Sequence, residues 1–269
     1  MIKHFSFTAC LLSLVLSCSQ APKSPLPALS PAQAQRIGDL IFANECNLKI
    51  QCLTSWNAGE DFPSLGIGHF IWYRQNQQEV FVESFPALLE FYDARGVPLP
   101  AWIDALPGRD SPWQTREAFL ADTDGERLQE LRSFLYDTRE VQVAFVIERM
   151  QASLPRLLAE AEHPEQIQSL FYEIASSEPP LGMYALIDYV NFKGEGVSAS
   201  ERYQGEGWGL LQVLETLLQQ RDNSPLMSQF ARAARDVLAH RVVNAPAERD
   251  EQRWLNGWNN RTKTYENPL

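Results

Sequence analysis

The stretch at 182–193, GMYALIDYVNFK, constrains this chain more than any other. Wound at about 100° per residue, it is apolar almost all round. Such a helix has no polar face to give to water, so the remaining elements must wrap it. Leu128, Leu131 and Leu135 recur at helical spacing, as do Phe230, Ala234, Val237 and Leu238. The pattern predicts helices over 84–94, 115–121, 125–136, 138–152, 164–175, 182–193, 208–220, 224–244 and 247–260. A first helix is expected from Ser30 or Pro31 to near Glu45, with Ser30 as its cap and Pro31 in its first turn. Residues 53–73 differ. Short strands are expected over 54–57 and 64–73, with a turn at 57–61. The fold class is therefore α+β, predominantly helical, with a small β-hairpin region beside a central buried helix.

The N-terminus has the pattern of a targeting segment. Lys3 is followed by an apolar run from Phe5 to Leu16, too short to span a bilayer. Val15-Leu16-Ser17-Cys18 resembles a bacterial lipobox, in which Cys18 is lipidated and becomes the new N-terminus. Leu16 is an imperfect fit to that pattern, and ordinary cleavage near Ala21 is the competing reading. The expected division is a signal peptide at 1–17, a lipidated tether at 18–30, one domain at 31–262 and a C-terminal tail at 263–269. The expected location is the bacterial cell envelope. Ser19 stands where an aspartate would resemble an inner-membrane retention signal, which favours the periplasmic side of the outer membrane. The lipid anchor would be the protein's contact with the membrane.

Cys10 falls in the leader and Cys18 carries lipid, leaving Cys46 and Cys52. An oxidising compartment favours a disulfide between them, and two buried thiols are the alternative. The four histidines are scattered and no Cys-x-x-Cys occurs, so no metal site is expected. Loss of Lys3 with the leader takes the formal charge from −11 to −12. That excludes nucleic acid as a natural partner and does not favour anionic polymers.

Glu45 stands out on the first helix. Ile37, Leu40, Ile41 and Phe42 span one apolar face, and Glu45 projects between Ile41 and Phe42. Lost solvation and the negative end of the helix dipole both favour keeping a proton there, as a general acid requires. The competing reading is a glutamate that reaches solvent or pairs with an arginine.

A helix ending in glutamate, followed by Ser64-Leu65-Gly66-Ile67-Gly68-His69, resembles the bacteriophage-type lysozymes of the lysozyme-like superfamily. Ala185-Leu186-Ile187-Asp188-Tyr189-Val190-Asn191-Phe192-Lys193-Gly194-Glu195-Gly196 resembles that family's central helix and the turn after it. Arg253-Trp254-Leu255-Asn256-Gly257-Trp258-Asn259-Asn260-Arg261 is a third, weaker similarity. The three occur in the family's order over about half of the mature chain.

The resemblance implies a lysozyme-like fold in which Glu45 is the general acid. Ser64 occupies the position usually held by a threonine that places a water or the substrate. His69 closes the strand motif, in a structural or a catalytic role. Asn191 lines the cleft or caps the helix. The family's aspartate falls six residues before Ser64, where this chain has Ala58. A loop shift would have to bring Asn57, Glu60 or Asp61 to the site, Glu60 being the best candidate, though both acids suit a solvated turn.

The separation of the two carboxylates distinguishes inverting from retaining hydrolysis. With Glu45 alone, a lytic transglycosylase fits, since the sugar's own hydroxyl then attacks. Trp56, Trp72, Tyr73, Tyr189, Tyr203 and Trp208 lie near the motifs and suit stacking on sugars, with Tyr189 and Trp208 as candidate contacts; core burial is the other role for such rings. Gly205-Glu206-Gly207-Trp208-Gly209 resembles a glycine-rich segment near transglycosylase clefts. The expected activity is muramidase or lytic transglycosylase on peptidoglycan or a related amino-sugar glycan, without a cofactor. Two rivals stand beside it. One is a non-catalytic envelope protein on the same scaffold. The other is action on chitosan-like polymers, whose positive charge suits an acidic chain.

Overall fold

The computed structural model describes residues 26–79 and 81–267; the leader, Cys18 and most of the tether lie outside them. In chain order the elements are α1 (Pro31–Cys46), β1 (Thr54–Ser55), β2 (Ser64–Leu65), β3 (Phe70–Ile71), α2 (Phe85–Ala94), α3 (Ala101–Asp104), α4 (Arg116–Ala121) and α5 (Glu126–Asp137). They continue with α6 (Arg139–Glu160), α7 (Pro164–Ala175), α8 (Leu181–Lys193), β4 (Arg202–Tyr203), β5 (Glu206–Gly207), α9 (Leu210–Gln219), α10 (Leu226–Asn244) and α11 (Gln252–Lys263). The chain is mostly helical with small antiparallel sheets, as the α+β reading expected.

The central helix is where the hydropathy pattern requires it. Every residue of α8 from Leu181 to Tyr189 is buried, and α6, α7 and α9 pack against it. The corner into it from α7 is tight. A Cβ on Gly182 would lie 1.8 Å from the Ile174 carbonyl oxygen, so no larger residue fits there. Helix α1 opens with the expected cap. The Ser30 hydroxyl accepts from the Gln33 amide while the Gln33 side chain accepts from the Ser30 amide. Its apolar face packs along α6.

Several boundaries differ from expectation for identifiable reasons. The helix expected at 138–152 continues to Glu160 with Pro155 inside it, so this proline does not end the helix. The strand expected over 64–73 is two strands. Gly66 (φ 68°) and His69 (φ 47°) take left-handed backbone and reverse the chain between them. Residues 204–205 also turn, with Gln204 at φ 52° and Gly205 at φ 86°, giving the β4–β5 hairpin. The stretch expected as a C-terminal tail is packed on the fold as far as Tyr265. Helix α11 runs to Lys263, and Tyr265 is fully buried. Among the described residues no helix is long and apolar enough to cross a membrane.

Candidate active site

The three stretches quoted for the resemblance converge on one carboxylate. Glu45 lies in α1's last turn, and its side chain is 13% exposed. The Asn191 amide, from α8, donates to Glu45 Oε1 at 3.0 Å and lies 3.4 Å from the Ile67 carbonyl oxygen. His69, from the β2–β3 turn, brings Nδ1 to 4.0 Å from Glu45 Oε2. Arg261, from α11, donates to Glu45 Oε1 at 2.5 Å.

The Gly66–His69 turn is shaped from behind by α6. Gln142 is fully buried; its Oε1 accepts from the Ile67 amide at 2.9 Å, and its Nε2 donates to the Leu135 carbonyl at 2.6 Å. A Cβ on Gly66 would lie 2.3 Å from that Oε1. The glycine is thus needed both for its backbone angle and for the closeness of Gln142.

Glu45 is not in the apolar niche expected of it. An ion pair stands there instead, and it continues inward. Arg261 donates from Nε to Asp188 Oδ2 at 2.9 Å and from Nη2 to Oδ1 at 2.8 Å. Asp188 also accepts from the Tyr265 hydroxyl at 2.8 Å and the Asn44 amide at 3.2 Å. Tyr184 joins Asn44 and Thr264 to the same network. Burial alone would pull the Arg261 guanidinium down, but the adjacent Asp188 and Glu45 carboxylates outweigh it and hold its pKa well above the usual arginine value. Burial and the Asp188 charge together raise Tyr265.

His69 and Asn191 open onto a groove of about 420 Å³ that also takes in Arg149, Glu195, Glu201 and the exposed Phe81. Neither acid was singled out from the sequence as a catalytic candidate. Glu195 pairs with Arg156 at 2.5 Å. Glu201 accepts from the Gly196 amide at 2.7 Å and is held above the ordinary carboxylate range by burial, which that bond partly offsets. Beyond Asn191, Lys193 lies 3.6 Å from the Trp258 ring and 4.0 Å from the Phe192 ring. Burial, helped by the nearby Arg241 charge, pulls its ammonium down to about 6.

Other expected site residues are placed elsewhere. Ser64 is buried in the middle strand, where its carbonyl accepts from Ser55. Asn57 donates to Glu60 at 3.2 Å across the turn, and neither lines the groove. Tyr189 is fully buried, and its hydroxyl donates to the Trp208 carbonyl at 2.8 Å. Trp208 is buried between Tyr203 and the Arg241 guanidinium. Trp56, Trp72 and Tyr73 also belong to the interior. These rings have no free face for a sugar; the ring exposed beside the groove is Phe81. Cys46 and Cys52 are bonded to each other, as expected, and fix the chain leaving α1.

Arg261 and Asp188 were legible only as parts of quoted stretches. One signal did point to them: an aspartate in a helix apolar all round needs a cationic partner. No family model matches the chain, and no curated protein or solved structure matches it.

Proposed function

We propose that this protein is a lysozyme-like, glycan-cleaving enzyme of the cell envelope that acts on peptidoglycan, with Glu45 as the acid. One observation carries the reading. The helix end, the Ser-x-Gly-x-Gly-His turn, the central helix and the C-terminal Arg261 stretch lie far apart in the chain, yet their side chains meet at Glu45, and two of its neighbours, His69 and Asn191, line a groove. Glu45 would protonate the glycosidic oxygen through Oε2, while Asn191 and Arg261 both hold Oε1 and orient the carboxyl. The missing aspartate, with Ala58 at its position, favours a lytic transglycosylase over a two-carboxylate hydrolase.

A second reading has its own support. Ala58 stands at the aspartate position, and Glu45 is committed to an ion pair, as in a scaffold that binds glycan without cleaving it. Glu45→Gln decides between them. Purified murein is incubated with wild type and mutant, and products are separated by mass spectrometry. Anhydro-sugar products from wild type that vanish in Glu45→Gln support the reading. Equal digestion by both, or none by wild type over a range of salt and pH, removes it.

A further inference from the structure

The histidines are scattered along the chain, but the β2–β3 turn carries one of them back to the disulfide. The sulfurs of Cys46 and Cys52 and a ring nitrogen of His69 all lie within 4.8 Å of one another. Glu45 precedes Cys46 and its Oε2 is 4.0 Å from His69 Nδ1, but its carboxylate lies outside that cluster. His69 has a second mark of a ligand: its Nε2 is buried and has no hydrogen-bond partner. Its backbone is held at φ 47°, a conformation uncommon for a residue with a side chain.

Two thiolates and an imidazole are three of the four donors of a tetrahedral zinc or cobalt centre, the fourth position being open to water. While the sulfurs are bonded to each other they cannot serve. We infer that reduction of the Cys46–Cys52 disulfide turns this corner into a divalent-metal site built from Cys46, Cys52 and His69. The reductant is a dithiol. It gives two electrons and two protons to the S–S bond, leaves as its own disulfide, and yields two thiols. The metal then displaces the two thiol protons. Zinc–sulfur and zinc–nitrogen bonds of about 2.3 and 2.0–2.1 Å ask the two sulfurs, once reduced, to move apart and the imidazole to close on the metal. The short Cys46–Cys52 loop, a separation of 6 residues, can follow. The binding claim is independent of the glycan-cleaving reading.

Cobalt(II) is the probe. The full chain is reduced, freed of reductant without oxygen, and titrated with cobalt(II), with far-UV circular dichroism recorded alongside. Reduced wild type should gain a thiolate-to-cobalt charge-transfer band and the intense visible bands of tetrahedral cobalt; the oxidised protein should gain neither. Zinc should displace the cobalt. His69→Ala in the reduced state should weaken binding by more than the roughly tenfold lost with an outer-sphere partner. Three outcomes overturn the proposal: reduced wild type that binds cobalt no better than oxidised, His69→Ala that binds as tightly as wild type, or a reduced chain that loses its helical signal and takes up no metal.

Discussion

Arg261 Nη2 lies 2.5 Å from Glu45 Oε1, joining residues 216 positions apart. The same guanidinium holds Asp188, whose side chain is fully buried, so one cation serves an inner and an outer carboxylate. The inner pair fastens α11 to α8, and the outer pair aims Glu45. This arrangement separates what stabilises the fold from what would do chemistry, and each can be tested alone.

Replacing Arg261 with Met leaves the Asp188 charge buried without its partner. Breaking a buried pair from one side costs about 3–5 kcal/mol. Arg261→Met should lower the stability measured by urea unfolding by that order. Adding Asp188→Asn should recover part of the loss, because the stranded charge is gone. A double mutant less stable than Arg261→Met would mean that Asp188 acts through Tyr265 and Asn44 rather than through the guanidinium.

Glu45→Gln keeps the shape of the side chain and its bond from Asn191. If Glu45 is the proton donor, the murein-cleavage rate should drop about 10²–10⁴-fold, the usual contribution of a general acid. The fold should persist, since the inner Arg261–Asp188 pair is untouched. A drop under tenfold with unchanged products would assign the cleavage to another group.

How far the sequence led can be judged from particular residues. Helix α1 was legible almost to the residue, because Ser30, Pro31 and the apolar face are local signals. The central position of α8 was legible because a helix without a polar face has only one place to go. Glu45, His69 and Asn191 were found together through the resemblance. Arg261 and Asp188 were not assigned roles, since pairing across 73 residues leaves no local trace. Tyr189 and Trp208 were misread for a related reason. A ring near a motif has the same sequence signature whether it faces a groove or the core, and both are buried here. Thr264, Tyr265 and Glu266, in the stretch expected as a C-terminal tail, show no periodicity. What holds them is tertiary: Tyr265 to Asp188, and Glu266 to Arg235 at 2.9 Å.

Gly66 gives a test of the turn. An alanine there meets both a φ of 68° and the Gln142 side chain 2.3 Å away. Strain of this kind costs about 1–3 kcal/mol, before counting the loss of the Gln142–Ile67 bond. Gly66→Ala should fall in or above that range by thermal unfolding, while Gly59→Ala, at a positive φ with open space around it, should fall lower. Equal losses at the two positions would show that the contact with Gln142 is not what fixes the turn.

The acid stability of the fold should depend on Glu251. It is buried and accepts from Arg241 at 2.7 and 2.9 Å, from Tyr203 at 2.9 Å and from Arg249 at 3.1 Å. Burial acts to raise its pKa, but the bonds from Arg241, Tyr203 and Arg249 outweigh it and bring it down to about 2. The unfolded chain has an ordinary glutamate value of about 4.3. The folded state therefore binds fewer protons than the unfolded state between these values. The resulting stability is fully present above about 4.3 and is lost as pH falls toward about 2. Measured by circular dichroism over that window, wild type should lose melting temperature steeply with acid. Glu251→Gln should start lower at neutral pH and show a shallower slope, the two curves converging near the acid end. Parallel curves would show that other carboxylates carry the acid sensitivity, and that Glu251 serves α10 and α11 by packing alone.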